Sequence, residues 1–136
     1  MKFVFYFNFV IAFVFLVGET ARRGIGYFAV NATTMLEDYV GGIVLLLAAA
    51  AWARQVKGAS IIMATAWAYV AGGMFVPFFA HLEAWLRAET FRADHLHTDG
   101  NAVILKAVVW SICFTCFLVS LRRAHWEVLV IADAKR

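Results

Sequence analysis

The chain has 136 residues, enough for one domain, and carries a formal net charge of +3 at pH 7. Its composition is 64% hydrophobic and 15% charged, with a mean hydropathy of +0.79, which excludes an ordinary water-soluble globular protein. The basic residues stand at the ends of apolar runs rather than in one patch, so the charge does not indicate a nucleic-acid partner. We predict a single integral membrane domain over residues 1–136.

The first apolar run predicts a membrane helix over about residues 3–23. It carries no charge before Glu19, and Asn8 interrupts an otherwise apolar stretch from 3 to 18. The segment 24–33, GIGYFAVNAT, has two glycines and an aromatic pair but no helical periodicity. That composition predicts a connector at the membrane surface.

The second apolar run predicts a helix over about residues 35–54. Thr34 and Glu37 have the spacing of a capping box, so the helix should begin near Met35. About twenty residues of helix cross the roughly 30 Å hydrocarbon core of a bilayer. The run therefore predicts a second membrane crossing.

A third helix is predicted over about residues 61–92, with Ser60 as its N-cap and its membrane part ending near residue 80. Pro77 removes a backbone donor, so a kink is expected within 72–77. Beyond residue 80 the pattern becomes amphipathic, and Glu83 and Arg87 have the i,i+4 spacing of a helical ion pair. This part predicts an amphipathic extension outside the membrane.

A fourth helix is predicted over about residues 102–121, with Asp99 or Asn101 as its cap. The tail, 122–136, has an apolar part too short to cross a bilayer. It is expected to lie on the membrane surface or against a partner.

Four crossings place both termini on one side, and the Lys and Arg residues indicate which side it is. The terminal side carries Lys2, Arg54, Lys57, Arg122, Arg123, Lys135 and Arg136; the other side carries Arg22, Arg23, Arg87 and Arg92, with Lys106 about one turn into the fourth helix. This excess predicts cytoplasmic termini and an inner bacterial membrane. The expected fold is an all-α bundle of four transmembrane helices.

Charged residues cluster at the predicted outer mouth of the bundle, which makes that mouth the candidate ligand site. The candidate ligand-binding residues are Glu37, Asp38, Lys106, Arg22 and Arg23. Asp38 shares a helical face with small residues, so its carboxylate is expected to point into the bundle. Two interpretations stay open: an ion pair with Lys106, Arg22 or Arg23 that fixes helix register, or a functional site.

The histidines suggest a metal site near the same mouth. The candidate ligands are His95, His97, His81, Asp94 and Asp99, with Glu83 close in sequence. Such nitrogen and oxygen ligands suit Zn²⁺ or Cu²⁺. A pH-responsive loop and a plain exposed loop are the alternatives.

Aromatic and sulfur side chains offer two further hypotheses. Trp67, Tyr69 and Trp110 could line a pocket for a quinone, a lipid tail or a pigment, although aromatic residues also pack membrane helices. Cys113 and Cys116 have C-x-x-C spacing, but the sequence has no second cysteine pair to relay electrons. We expect both to be packing residues.

Residues 36–79 also carry a resemblance. The strings LEDYVGGIVLLLAAAAW and AWAYVAGGMFVPFF are similar to a pattern in uncharacterised small bacterial four-helix membrane proteins. The resemblance implies a four-helix fold and no particular activity.

Small residues recur on two of the predicted helices and indicate close helix packing. They are Gly41, Gly42, Ala64, Ala68 and Gly72. The leading hypothesis is a non-enzymatic membrane subunit that packs against copies of itself or against other membrane chains. The alternative is a binding, transport or catalytic protein whose site is the outer mouth.

Overall fold

The computed structural model describes residues 1–89 and 100–133, and these two segments contain no strand. Four helices in them are long and apolar enough to cross a membrane. We label them α1 (Lys2–Arg23), α2 (Ile25–Ala53), α3 (Ala59–Leu86) and α4 (Gly100–Asp133). The prediction of an all-helical chain with four such helices is confirmed.

Successive helices run in opposite directions, so the bundle has two ends. The Lys2 end comprises the start of α1, the turn from α2 to α3 and the last turns of α4. The Asp38 end comprises the turn from α1 to α2, the end of α3 and the start of α4. Of the helix pairs, α3 and α4 pack most extensively.

Helix α1 contains a π-helical turn, Val14–Gly18, between two α-helical segments. This turn packs on two glycines of α2. A β-carbon at Gly41 would lie 3.0 Å from Cδ2 of Phe15, and one at Gly42 would lie 2.7 Å from Cγ of Leu16. The close approach predicted at these glycines is therefore made by α1 of the same chain.

Helix α2 has a kink at Asn31, and the long segment after the kink is capped by Asn31 and not by Thr34. Asn31 has a non-helical backbone, with φ −151° and ψ 80°, and its Oδ1 accepts a hydrogen bond from the Thr34 N–H at 3.1 Å. The predicted capping box was wrong because asparagine is an equally good cap and stands three residues earlier. Residues 25–30, predicted as a connector, are helical.

The turn between α2 and α3 uses left-handed backbone at Gln55 (φ 52°) and Gly58 (φ 80°). Gly58 precedes the first residue of α3, and its conformation suits glycine because a β-carbon is disfavoured there. Ser60, predicted as the cap, lies within the helix. Its hydroxyl instead donates a hydrogen bond to the Glu127 carboxylate of α4.

Helix α3 is interrupted at Met74, inside the segment where a kink was predicted, and continues as Phe75–Leu86. It ends six residues before the predicted position. The reason is a left-handed Ala88, with φ 54°, which brings the Glu89 N–H to the Ala84 carbonyl at 2.9 Å. Such a reversal usually uses glycine, so the sequence did not indicate it.

Helix α4 continues without a break to Asp133, so the predicted end at residue 121 and the separate surface tail were wrong. The continuation packs on α3: Ala124 is buried, and Glu127 accepts the Ser60 hydrogen bond. Glu127 also pairs with Arg123, with Nε and Oε1 2.8 Å apart. These contacts hold the last turns of α4 against the Lys2 end.

The centre of the bundle is closely filled. Leu45, Trp67, Cys113 and Cys116 have no exposed surface, and both cysteines are free thiols in this core. The side-chain NH₂ of Asn8 donates a hydrogen bond to Sδ of Met63 at 2.9 Å, so this buried donor has a partner in an apolar interior. The cysteines lie where packing residues are expected.

The contact between α1 and α2 makes Gly42 sensitive to substitution, whereas Gly72, on α3, takes no part in it. Gly42→Ala should lower the free energy of unfolding by about 1–3 kcal/mol, because the added methyl displaces Leu16. Gly72→Ala is the matched control: a β-carbon there meets no described residue within 4 Å, so stability should be unchanged or raised. Thermal unfolding in detergent measures both, and equal destabilisation would contradict the assigned contact.

Candidate functional site

The Asp38 end contains a cavity of about 290 Å³, which we call the Asp38 cavity. It is lined by Val14, Phe15, Glu19, Arg22 and Arg23 of α1; Thr34, Glu37 and Asp38 of α2; Tyr69, Val70, Gly73, Met74 and Pro77 of α3; and Ala102, Leu105, Lys106 and Val109 of α4. The structure thus brings all five sequence-derived ligand-binding candidates to one cavity.

Both arginines of the cavity are paired with Glu19. Its Oε2 lies 2.6 Å from Nη2 of Arg22 and 2.7 Å from Nε of Arg23. The Arg23 guanidinium also lies over the Tyr27 ring, 4.9 Å from its centroid. The ion pairs expected between these arginines and Asp38 are not formed, because residues three and four apart on one helix are closer neighbours than residues on two helices.

Asp38 is half-buried and forms no ion pair or side-chain hydrogen bond with another residue of the described segments. Its expected ion pair with Lys106 is therefore not present, although Lys106 lines the same cavity from α4. Arg22, Arg23, Glu19 and Glu37 are the charged groups that act on the Asp38 carboxylate electrostatically. Asp38 thus lies among charges without a direct partner from residues 1–89 or 100–133.

Glu37 lies against the end of the first segment of α3. Its Oε1 would be 2.9 Å from a β-carbon at Gly73, so the carboxylate occupies the space that a side chain would need. Since Asn31 caps α2, Glu37 is not used as the predicted cap partner. It forms no ion pair with another described residue and joins Asp38 at the cavity wall.

The deeper wall of the cavity is apolar. Phe15 and Val70 lie beside Gly41, within 3.0 Å and 3.6 Å of where its β-carbon would be. Beyond them, Leu45 and Trp67 are fully buried and fill the bundle. The cavity therefore ends inside the bundle and does not continue to the Lys2 end.

The three aromatic residues proposed for a pocket are in different places. Tyr69 lines the Asp38 cavity, whereas Trp67 is fully buried in the core. Trp110 stacks between Phe78 and Phe114, with ring centroids 5.6 Å and 5.3 Å away. Only Tyr69 of these three is placed to contact a molecule in the cavity.

The proposed metal ligands are not brought together in the described segments. His81 is buried on α3 and does not line the Asp38 cavity. Asp94, His95, His97 and Asp99 lie outside the described residues. Within residues 1–89 and 100–133, no three His, Cys, Asp or Glu side chains could hold one metal ion. The Zn²⁺ or Cu²⁺ site stays a prediction.

The exposed pair Glu83 and Arg87 forms the expected ion pair, with Oε1 and Nη2 2.6 Å apart. Neither residue lines the Asp38 cavity. This pair is solvated, so it contributes little to stability.

The small residues of α3 face two environments. Ala64 is buried, whereas Ala68 and Gly72 are exposed. Ala64 and Ala68 border a groove of about 410 Å³ between α3 and α4, whose other walls include Phe117, Leu121 and His125. Among the residues that the structure describes, none has a side chain within 4 Å of a β-carbon at Gly72. Ala68 and Gly72 are therefore open on this part of the surface.

Glu19 and Gly73 arrange the charged groups of the cavity, and neither was among the sequence candidates. Glu19 organises both arginines, and its spacing of three and four residues from them is a signal that could have found it. Gly73 admits the Glu37 carboxylate, but a glycine inside an apolar run gives no sign of what approaches it. The contact at Gly73 depends on how α2 packs against α3.

Comparison with known proteins adds no assignment: no family model matches the chain, and neither does any curated protein or solved structure. The resemblance over residues 36–79 stays a prediction.

The depth of the cavity predicts a pattern of thiol reactivity. The native chain should not react with a charged, water-soluble methanethiosulfonate, because Cys113 and Cys116 have no exposed surface. Asp38→Cys should react. Leu45→Cys, two turns further along α2 and fully buried in the native chain, is the control and should stay unmodified. Mass spectrometry of the folded protein measures this, and equal labelling at both positions would contradict a cavity that ends above Leu45.

Proposed function

We propose that the chain is an integral membrane protein that binds a small organic cation with an apolar part in the Asp38 cavity. The observation that carries the proposal is the pair of carboxylates, Glu37 and Asp38, which have no ion-pair partner in the described segments and stand above an apolar wall. Asp38 is half-buried, and a carboxylate in a partly dehydrated site is costly unless a positive charge accompanies it. A cationic ligand would supply that charge.

The distribution of charge in the cavity supports a cation rather than an anion. Arg22 and Arg23, two of the positive groups in the lining, share Glu19. Lys106 lines the cavity from α4 and has an interaction of its own. Glu37 and Asp38 leave negative charge on the α2 wall. An ammonium group placed beside this wall gains attraction from both carboxylates.

The shape and chemistry of the deeper wall support an apolar portion on the ligand. Phe15, Val70, Met74 and Pro77 offer hydrocarbon surface, and the Tyr69 ring adds an aromatic face. Binding sites for small molecules are commonly apolar with a few polar groups that set orientation. A cation close to an aromatic face is additionally favoured by the ring quadrupole.

The closed inner end supports binding rather than passage through the bundle. Leu45 and Trp67 fill the space between this cavity and the Lys2 end. This filled inner end favours a binding site over an open pore through the bundle.

A pair of probes of similar shape and opposite charge tests the proposal. Phenyltrimethylammonium should bind the detergent-solubilised chain, whereas benzenesulfonate should not. Asp38→Asn should weaken the cation's affinity about tenfold, since one charge-assisted contact contributes about 1.5–3 kcal/mol. Isothermal titration calorimetry measures both affinities.

Glu83→Gln is the matched control for that titration. Glu83 is a carboxylate at the same end, but it pairs with Arg87 and does not line the cavity. Its substitution should leave the affinity unchanged. The proposal is wrong if both variants weaken binding equally, or if benzenesulfonate binds as well as the cation.

We place the Lys2 end in the cytoplasm of a bacterium, with the protein in the inner membrane and the Asp38 cavity open to the outside. The excess of Lys and Arg at the Lys2 end supports this orientation. The thiol of Asp38→Cys should then react with a membrane-impermeant reagent added to intact cells with a permeable outer membrane. Labelling that required disruption of the inner membrane would reverse the orientation.

A second function, as a subunit of a membrane assembly, is supported by the open surface at Ala68 and Gly72. Small exposed residues on a membrane helix allow another helix to approach closely. The occupant we propose is a second copy or another membrane chain.

Ala68→Leu should reduce the assembled fraction in native-detergent mass measurement, because the larger side chain fills the approach surface. Leu47→Ala on the exposed face of α2 should not, since it removes bulk elsewhere. A monomer in the native chain, with no bound partner, would contradict the assembly.

A further inference from the structure

The Lys2 end contains a second and larger cavity, of about 860 Å³, which we call the Lys2 cavity. Three parts of the chain form its walls: the first turns of α1, the turn between α2 and α3, and the last turns of α4. Its lining residues include Lys2, Phe5, Tyr6, Trp52, Lys57, Ser60, Arg123, Trp126, Glu127 and Val130. The α4 wall exists because that helix continues past residue 121.

The charge of this lining is predominantly positive. Glu127 is already engaged, because it accepts the Ser60 hydrogen bond through Oε2 and pairs with Arg123 through Oε1. Lys2 and Lys57 form no ion pair with another residue of the described segments. The lining therefore has positive charge that no described carboxylate neutralises.

The uncharged part of the lining is rich in the residues that favour a membrane surface. Trp52, Trp126 and Tyr6 border the cavity, and tryptophan and tyrosine are enriched at the level of lipid headgroups. Phe5 and Val130 extend the lining with apolar surface. A molecule that fits both parts has an anionic head and a hydrocarbon body.

We propose that the Lys2 cavity binds an anionic glycerophospholipid of the surrounding membrane. Its phosphate lies among Lys2, Lys57 and Arg123, and its acyl chains run along Phe5 and Val130. Basic pockets between membrane helices are suited to anionic headgroups. The hydrogen bond from Ser60 to Glu127 holds the end of α4 against α3, which positions Arg123 at the cavity. This site is separate from the Asp38 cavity and does not depend on its ligand.

Brominated lipids test the proposal directly, because bromine quenches nearby tryptophans and two tryptophans line the cavity. The full chain, in an uncharged detergent, is titrated with brominated phosphatidylglycerol or brominated phosphatidylcholine. Phosphatidylglycerol should saturate at the lower concentration. Lys57→Gln and Arg123→Gln should each raise its half-saturating concentration about fivefold, the effect of one basic group at a membrane surface.

Each of these two residues has a basic neighbour in the sequence that serves as a matched control. Arg54→Gln and Arg122→Gln remove charge at the same end of the bundle but outside the cavity lining, so they should leave the titration unchanged. Lys57→Arg keeps the charge and should retain binding, which separates loss of the site from loss of the fold.

Three outcomes would overturn the proposal. Equal weakening by the control and cavity variants would indicate general attraction to the surface. Equal saturation by both lipids would show that the headgroup charge is not recognised. Suppression of quenching by millimolar inorganic phosphate, with unchanged fold, would assign the site to soluble phosphate instead of a membrane lipid.

Discussion

The close contact between the π-helical turn of α1 and Gly41–Gly42 of α2 is the constraint on which the Asp38 end depends. The π turn carries Phe15 and Leu16 against glycines that have no side chain to displace. In a membrane the hydrophobic effect does little to bring helices together, so such steric fit has a large share in their association. The same contact places Phe15 at the inner wall of the cavity and brings Glu19 opposite Asp38.

Polar interactions at the Asp38 end follow from the local geometry of each helix. The arginines of α1 meet Glu19, their neighbour on the same helical turn, before they can meet a carboxylate on α2. The hydroxyls of Thr20 and Tyr39 lie 2.6 Å apart and link these two helices beside the cluster. Asn31 serves as the cap in α2, and Glu37 does not. The Glu37 carboxylate lies against Gly73 of α3 instead. The α2 wall of the cavity therefore carries two carboxylates, and α1, which faces it, carries ion pairs within its own last turns.

The structure of the Lys2 end depends instead on the length of α4. A helix that stopped near residue 121 would leave Ser60 without its carboxylate acceptor and the basic residues of the α2–α3 turn on an open surface. The continued helix adds Glu127 as an acceptor, Arg123 as a positive group and Trp126 as an aromatic wall. Among residues 1–89 and 100–133, Glu37 and Asp38 at one end and Lys2 and Lys57 at the other have no ion-pair partner, and a filled core separates the two ends.

The sequence by itself determined the helical class, the four helices that could cross a membrane and the break near Pro77, because apolar run length and the missing proline donor act locally. It also selected five of the charged residues that line the Asp38 cavity, all except Glu19, since charges next to apolar runs lie at helix ends. The pairing of Arg22 and Arg23 with Glu19 also follows from their spacing on one helix. Only the tertiary structure decided that the Glu37 carboxylate lies against Gly73, because that contact depends on the distance between α2 and α3. The cap at Asn31, the left-handed Ala88 and the continuation of α4 were decided in the same way. In each, several local conformations were acceptable to the sequence, and packing against a neighbouring segment selected one.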